Sequence, residues 1–417
     1  MRYVLADAPP GRFFTLLLFA FFSSASRLSA QDSLASRPVV VQQVKKTTPK
    51  WYETVQFRGY TQVRYNRLLE TNPDLRCEQC DRYWGDNNGL GIRRLRLVFF
   101  GNIHPRVYMY IQQDFASNPS SSTLHYGQIR DAYFDLFLNK TKSFRLRLGQ
   151  SKVPYGFENL QSSQNRTPLD RNDALNSAVP NERDMAAILY WAPTVARERF
   201  SHLVKAGLKG SGDYGVFGLG VFNGQTANRP EANDNMHLVA RASYPFQLSN
   251  GQIIEPGLQA YTGRYVLSSV TKEVKGTEGF VYDDRRMAAS FVLYPQPFGL
   301  AAEYNIGTGP EYNPDNNTIE QKSLYGGYVQ AQYLLRLKDQ VLIPFSRWQY
   351  YHGGKKAELD ARSYRVKELE IGLEWQPIRN FELVAMYVIS DRTFEDAVLP
   401  VNRQTGSLLR IQAQVNY

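Results

Sequence analysis

The stretch FRLRLGQSKVPYGFE, residues 144–158, decides the fold class. Its first half alternates apolar side chains with Arg145 and Arg147, so an extended chain places the apolar residues on one face and the arginines on the other. The alternation stops at 154–156, where proline and glycine favour a turn. Such a strand requires an environment that is apolar on one side and wet on the other.

The same pattern recurs along most of the chain. In GIRRLRLVFFG, residues 91–101, Arg94 and Arg96 oppose leucines, and the final segment SLLRIQAQVNY, residues 407–417, has a polar face too wet for a sandwich core. A soluble sandwich could also alternate. The number and length of the strands, an apparent export signal and an aromatic last strand favour a membrane barrel instead, with apolar residues facing lipid and polar residues facing the lumen.

The predicted fold class is therefore all-β, a transmembrane antiparallel β-barrel of about 16 strands with a water-filled lumen. Short and long connections alternate along the chain, and the longest spans 152–200. The segment MAAILYWAP, residues 185–193, would make an odd strand count, so it is assigned to that long loop or to an extension of the next strand, which is expected at 200–210. A count of 18 strands is the alternative.

The N-terminus predicts export. Arg2 and Arg12 precede an apolar run at 13–22, and small residues lie before position 31, as in a cleaved secretory signal. The expected organisation is a signal peptide at 1–30, a polar periplasmic leader at 31–52 and the barrel at 53–417, located in the outer membrane of a Gram-negative cell. The net charge of +10 is moderately basic and does not indicate nucleic-acid binding.

Cys77 and Cys80 form a CxxC pair. In an oxidising compartment a local loop disulfide is favoured, with unpaired thiols or a zinc site as the alternatives. The five histidines are scattered, and no nucleophile, metalloprotease or phosphate-loop motif is present in the sequence. We therefore expect neither an enzyme nor a cofactor.

Several short motifs in this order resemble the phosphate-selective porin O and P family of Gram-negative outer membranes. They are IRRLRL at 92–97, DAYFD at 131–135, RLGQSKVPYGFE at 147–158, ERDM at 182–185, and VFNG at 221–224. The resemblance implies a sixteen-stranded barrel, usually a homotrimer, whose third external loop folds inward to narrow the pore.

The resemblance also implies an anion site built from an adjacent arginine pair, an aspartate and a serine, which correspond to Arg93, Arg94, Asp114 and Ser162. Two lysines of the family pattern are replaced by Asn159 and Gln164, and a first-strand arginine by Tyr60. Alternation adds further lumen arginines, and the loop adds a lysine, although inward carboxylates and ordinary ion pairs would neutralise part of this charge. The pore-lining and anion-binding candidates are Arg93, Arg94, Arg96, Asp114, Arg145, Arg147, Lys152 and Ser162.

Together these features predict an outer-membrane porin for passive diffusion of small hydrophilic solutes, with a mild preference for anions such as phosphate. One alternative is a strictly phosphate- or polyphosphate-selective channel. The other is a plugged structural or adhesive barrel. Expected partners are outer-membrane lipid, small anions and two further copies of the chain.

Overall fold

The computed structural model describes residues 50–68, 75, 89–115 and 126–417. The signal segment, most of the leader and both cysteines lie outside these residues. A short 3-10 helix, Trp51–Thr54, precedes one antiparallel sheet that closes on itself where its last strand pairs with its first. The strand segments are β1 (Gln56–Leu68), β2 (Leu90–His104), β3 (Val107–Asp114), β4 (Gln128–Phe137), β5 (Phe144–Lys152), β6 (Arg183–Trp191), β7 (Phe217–Phe222), β8 (His237–Ser243), β9 (Phe246–Gln247), β10 (Ile253–Val266), β11 (Val281–Leu293), β12 (Phe298–Asn313), β13 (Thr318–Tyr333), β14 (Leu335–Leu337), β15 (Gln340–Gly354), β16 (Ser363–Ile378), β17 (Phe381–Glu395) and β18 (Arg403–Asn416).

These segments make a barrel of sixteen strands. The short β9 continues β8 along the same neighbour, β10, and β14 continues β13 along β15. Each pair counts as one barrel strand, which confirms the predicted number of about 16. Closure leaves no unpaired edge, as a bilayer requires.

The two faces of the barrel differ as alternation predicts. In β10, Leu258 points outward and is 63% exposed, whereas the next residue, Gln259, points inward and is 2% exposed. The last strand repeats this pattern, with Arg410 inward and Ile411 outward. Among the described residues, no helix has both the length and the apolar character that crossing a bilayer requires.

The predicted assignment of 185–193 and 200–210 is wrong. Segment β6 is a full barrel strand that pairs with β5 on one side and β7 on the other. Helix α3 (Thr194–Lys205) follows it and occupies most of the expected strand. The buried residues of α3 are Ala196, Phe200 and Leu203, a spacing of four and three that belongs to a helix face.

The connections define two ends of the barrel. At the turn end lie the chain's C-terminus and the links at 105–106, 138–143 and 192–216, and at the loop end lie the links at 153–182 and 355–362. We call residues 153–182 the inward loop and residues 192–216 the turn-end connector. Both are longer than a hairpin needs, and both bury much of their length inside the barrel.

The inward loop turns into the lumen directly after β5. Gly156 has a φ of 83°, a conformation that favours glycine, and it begins the short helix α1 (Phe157–Leu160). A second short helix, α2 (Asp173–Asn176), follows. The Tyr155 hydroxyl donates to Asn305 of β12 at 2.5 Å, so the loop crosses to a wall far from its own strands. This agrees with the inward third loop that the sequence resemblance implies.

Candidate functional site

A β-bulge in β2 turns two consecutive arginines into the lumen. Gln62 of β1 pairs with Arg94, whereas the next residue, Val63, pairs with Ile92. Arg93 is therefore the extra residue of the bulge, and both arginines are buried. Strict alternation would have pointed one of them at lipid. The bulge instead doubles the positive charge at this height of the lumen.

Arg94 has no carboxylate within ion-pair distance in the part of the chain that the structure describes. Its Nη1 donates to Gln62 Oε1 at 2.9 Å. The charged groups that act on it most strongly are Arg93, Arg96 and Arg166, all of the same sign. A guanidinium in this setting favours any anion that reaches it.

The inward loop supplies a second guanidinium of this kind. Arg166 is 3% exposed, and its Nη2 donates to Leu169 O at 3.3 Å, while its Nε and Nη1 find no acceptor among the described residues. Burial, and then the Arg171 guanidinium, lower the pKa of Arg166 to about 9, so the group is still charged at neutral pH. Buried donors without acceptors destabilise the folded protein. An oxyanion that accepts hydrogen bonds from them would remove this cost.

Asp170 of the inward loop neutralises other arginines nearby. Its carboxylate lies 3.1 Å from Arg64 Nη1, 2.6 Å from Arg410 Nη2 and 3.7 Å from Arg93 Nη2. Burial opposes ionisation of this carboxyl, but Arg64 and Arg410 outweigh it and hold the pKa of Asp170 well below its usual value. One carboxylate thus serves three guanidinium groups.

Asp114 is the other carboxylate at this level. Arg96 Nε donates to Asp114 at 3.0 Å, and Arg130 lies 3.8 Å away. Arg130 also enters the lumen through a bulge, because Gln112 pairs with Asp131 while Gln113 pairs with Ile129. Sequence alternation gave no signal for Arg130, since only the register with β3 creates its inward position.

These groups form what we call the central arginine cluster. It carries six cations against two carboxylates, and it joins strands β1, β2, β3 and β18 to the inward loop. The excess positive charge is concentrated where the lumen is narrowed. Its members are Arg64, Arg93, Arg94, Arg96, Arg166 and Arg410, with Asp114 and Asp170.

Two predicted candidates lie elsewhere. Arg147 makes a two-point contact with Asp135, at 2.7 and 2.9 Å, and its guanidinium carbon lies 3.9 Å from the Tyr133 ring centre. Arg145 pairs with Asp213 of the turn-end connector at 2.7 Å. Both therefore lie toward the turn end, and each already has a carboxylate partner.

Lys152 and Ser162 take positions beside the cluster. Lys152 Nζ donates to the carbonyl oxygens of Leu160 and Gln161, at 2.7 and 2.8 Å, and so holds the inward loop against β5. Ser162 is half-buried, and the neighbouring Ser163 contacts the cluster instead. The Ser163 hydroxyl lies 3.1 Å from Arg96 Nη1 and 2.6 Å from the Tyr60 hydroxyl.

The far wall holds the loop through ion pairs that the candidate set does not include. Arg347 contacts Glu158 at 2.5 Å and Glu370 at 2.6 Å, and Arg392 contacts Asp173 at 2.9 Å. Burial opposes ionisation of Asp173, but Arg392 and then Lys355 lower its pKa. Alternation in β15 and β17 could have placed these arginines inward, although nothing in the sequence shows which loop carboxylate each one meets.

Comparison with known protein families identifies a family to which the chain is similar. The family model of the phosphate-selective porin O and P matches residues 73–417, which is most of the chain. No curated protein matches the chain. The family consists of channels and not enzymes.

Solved structures share the fold at low sequence identity. The outer membrane channel DcaP of Acinetobacter baumannii is 14% identical with a TM-score of 0.50, over 87% of this chain and 97% of that one. OmpF of Salmonella typhi, solved with daunomycin, is 12% identical with a TM-score of 0.53, over 87% and 97%. OmpT of Vibrio cholerae in its trimer form is 11% identical with a TM-score of 0.50, over 87% and 99%.

Proposed function

Since the chain belongs to the phosphate-selective porin O and P family, we propose that it lets small hydrophilic solutes diffuse across the outer membrane with a mild preference for anions such as phosphate. The proposed anion site is the central arginine cluster. Within it, Arg93, Arg94 and Arg96 line the β2 side and Asp114 limits the net charge. Beside it, Lys152 positions the loop that carries Arg166. Arg145 and Arg147 act as wall residues with less influence on anions.

One observation carries this proposal: Arg94 and Arg166 are buried cations that lack a carboxylate partner among the described residues. A phosphate oxygen could accept from their free donors, and arginine suits such contacts because its planar fork meets an oxyanion at two points. Asp170 and Asp114 moderate the field, which argues for a preference over strict selection. The replacement of family lysines by Asn159 and Gln164 points the same way.

The test is a single-channel measurement in a planar bilayer under a potassium chloride gradient, followed by addition of phosphate. We expect a reversal potential on the anion side and a block by phosphate at millimolar levels. The double variant Arg94→Gln/Arg166→Gln should move the reversal potential toward zero. It should weaken the phosphate block roughly tenfold to a hundredfold, as expected for losing one or two charged hydrogen bonds.

A control is Arg403→Gln, which removes one positive charge from an exposed position that pairs with Asp391. It should leave both the reversal potential and the block unchanged. Equal effects of the control and the double variant would contradict the assignment of the site. A block by phosphate at micromolar levels, with chloride nearly excluded, would instead favour the strictly phosphate-selective alternative.

Assembly into a homotrimer belongs to the same proposal. It is supported by the family and by the trimer form of the Vibrio cholerae protein with a similar fold. Cross-linking of the detergent-purified protein, followed by electrophoresis without heating, should give a band at three times the chain mass. A monomer band at every cross-linker concentration would contradict it.

Export by a cleaved signal is the remaining element. We propose that residues 1–30 are removed, that 31–52 form a periplasmic leader and that 53–417 form the barrel. The predicted signal has a basic start, an apolar run and a small-residue end. Mass spectrometry of the protein from isolated outer membranes should find Gln31 at the N-terminus, and an intact Met1 would contradict this.

A further inference from the structure

The turn-end connector crosses the mouth of the barrel. It joins β6 and β7, which are the sixth and seventh barrel strands, yet Lys209 Nζ lies 2.6 Å from Glu374 of β16, the fourteenth. A separation of eight strands in a barrel of sixteen is half the circumference. Arg336 Nη2 of β14 also donates to Ala206 O at 2.8 Å. The connector therefore spans the full diameter before it returns to β7.

Apolar side chains of the connector are buried against the lumen wall. Leu203 of α3 and Leu208 after it pack with Ile253, Val292 and Ile343, which are inward residues of β10, β11 and β15. An open water-filled mouth would expose these apolar side chains to water, which is unfavourable. The connector instead covers this patch and stabilises its own position inside the barrel.

The connector also meets the inward loop. Phe157 of α1 belongs to the same apolar cluster as Leu203 and Leu208, and Gln161 Nε2 donates to Lys209 O at 2.5 Å. A polar cavity of about 110 Å³ lies between the two segments, lined by Gln164 and Glu382 among others. Segments that enter from opposite ends of the barrel thus touch near the turn end.

The polar contacts that hold the turn-end connector differ between its two sides. On the side of its own strands, Arg197 donates to Thr141 O at 3.1 Å, and Asp213 pairs with Arg145. On the far side, the ionic contact is Lys209 with Glu374, both buried, and Glu382 lies close enough to interact with the pair. Three glycines with positive φ, Gly207, Gly212 and Gly215, flank this contact. Such glycines permit the backbone to hinge.

We propose that the turn-end connector is a hatch that closes the lumen, that the Lys209–Glu374 ion pair is its latch, and that conduction requires the hatch to swing away from β16. This proposal concerns the regulation of the channel and rests on the proposed function. The glycines near the latch provide the hinge, while the contacts of Arg197 and Asp213 keep the connector attached on the β5 side. Breaking the latch should leave the anion site intact, because the central arginine cluster contains no connector residue.

The experiment is single-channel recording of Lys209→Gln and Glu374→Gln beside the wild type, with Lys338→Gln as control. Lys338 lies exposed in the β14–β15 turn at the same end of the barrel. We expect each latch variant to raise the open probability at least fivefold with an unchanged reversal potential. The charge-swapped double variant Lys209→Glu/Glu374→Lys should return it toward the wild-type value. The control should match the wild type.

Limited trypsin digestion in detergent gives an independent readout. Lys205, exposed on α3, should be cleaved several times faster in Glu374→Gln than in the wild type or Lys338→Gln. Heat-modifiable migration on electrophoresis confirms that each variant has folded. Equal open probability and equal cleavage rates in folded variants would overturn the hatch. Increased opening of the latch variants, with a reversal potential near zero in both the wild type and the variants, would overturn the proposed anion preference alone.

Discussion

The two groups of arginines in the lumen are alike in type and burial, but they differ in what surrounds them. Near the turn end, Arg147 is matched by Asp135 and packed on tyrosine rings. At the β2 bulge, Arg94 faces other arginines and an amide. A matched pair is part of the wall, whereas an unmatched cation can bind a mobile anion. The position of the carboxylates therefore decides which arginines can act on solutes.

Removing the Asp135 carboxylate, which pairs with Arg147, should have the largest effect on stability. Asp135→Ala leaves Arg147 buried without its two-point partner, and breaking a buried pair in this way costs about 3–5 kcal/mol. Denaturant unfolding in lipid vesicles, followed by tryptophan fluorescence, measures the change. Asp391→Ala removes a carboxylate from an exposed pair with Arg403 and should cost less than about 1 kcal/mol. Equal costs would remove the distinction between wall and site.

Removing the Asp170 carboxylate from the central arginine cluster should change anion binding instead. Asp170→Asn releases Arg64 and Arg410 from their shared partner, so the excess positive charge of the cluster rises. We expect phosphate to block the channel roughly tenfold more tightly, equivalent to about 1.4 kcal/mol. Asp391→Asn, the same change in an exposed pair with Arg403, should leave the block unchanged. An unaltered block in Asp170→Asn would separate the cluster from anion binding.

Acid should release the inward loop only at low pH. Burial would raise the pKa of Glu182, but Arg171 and then Arg130 lower it, and the pKa values of Asp170 and Asp173 are also lowered. Because these folded pKa values lie below the unfolded values of about 4, the stabilisation is fully present above about pH 5 and is lost as the pH falls through the folded values. Trypsin cleavage of the loop after a short exposure to each pH, read at neutral pH, tests this. Release near pH 6 would contradict it.

The smallest expected effect is a difference in stability between substitutions at two neighbouring serines. Ser163→Ala removes contacts with Tyr60 and Arg96 and should cost about 1 kcal/mol in unfolding free energy. Ser162→Ala should be neutral, because its half-buried side chain has no hydrogen bond to the cluster in the described chain. A larger loss of unfolding free energy in Ser162→Ala than in Ser163→Ala would support the assignment of Ser162 that the family resemblance implies.

Much of the barrel could be predicted because its pattern is local. Alternation, together with the requirement for an even count, predicts about sixteen strands, which the sheet topology confirms. Alternation also predicts the inward direction of Arg96, Arg145 and Arg147, and all three are buried. The helical spacing of Ala196, Phe200 and Leu203 is also present in the sequence, but the short apolar run at 200–210 fits a strand equally well. A strand at 200–210 leaves no place for β6 in an even count, so neither β6 nor the turn-end connector follows from the sequence.

The sequence by itself determined a closed barrel with a polar interior, because each strand needs only a two-residue repeat to separate lipid from lumen. Only the tertiary structure decided that Arg93 and Arg130 turn inward, since a bulge exists in the register between two strands and in neither strand alone. It also decided which arginines are matched, because carboxylates such as Asp170 and Asp213 come from segments that cross the lumen. Charge type is local, whereas the pairing of Arg64 and Arg410 with Asp170 depends on contacts between residues far apart in the chain.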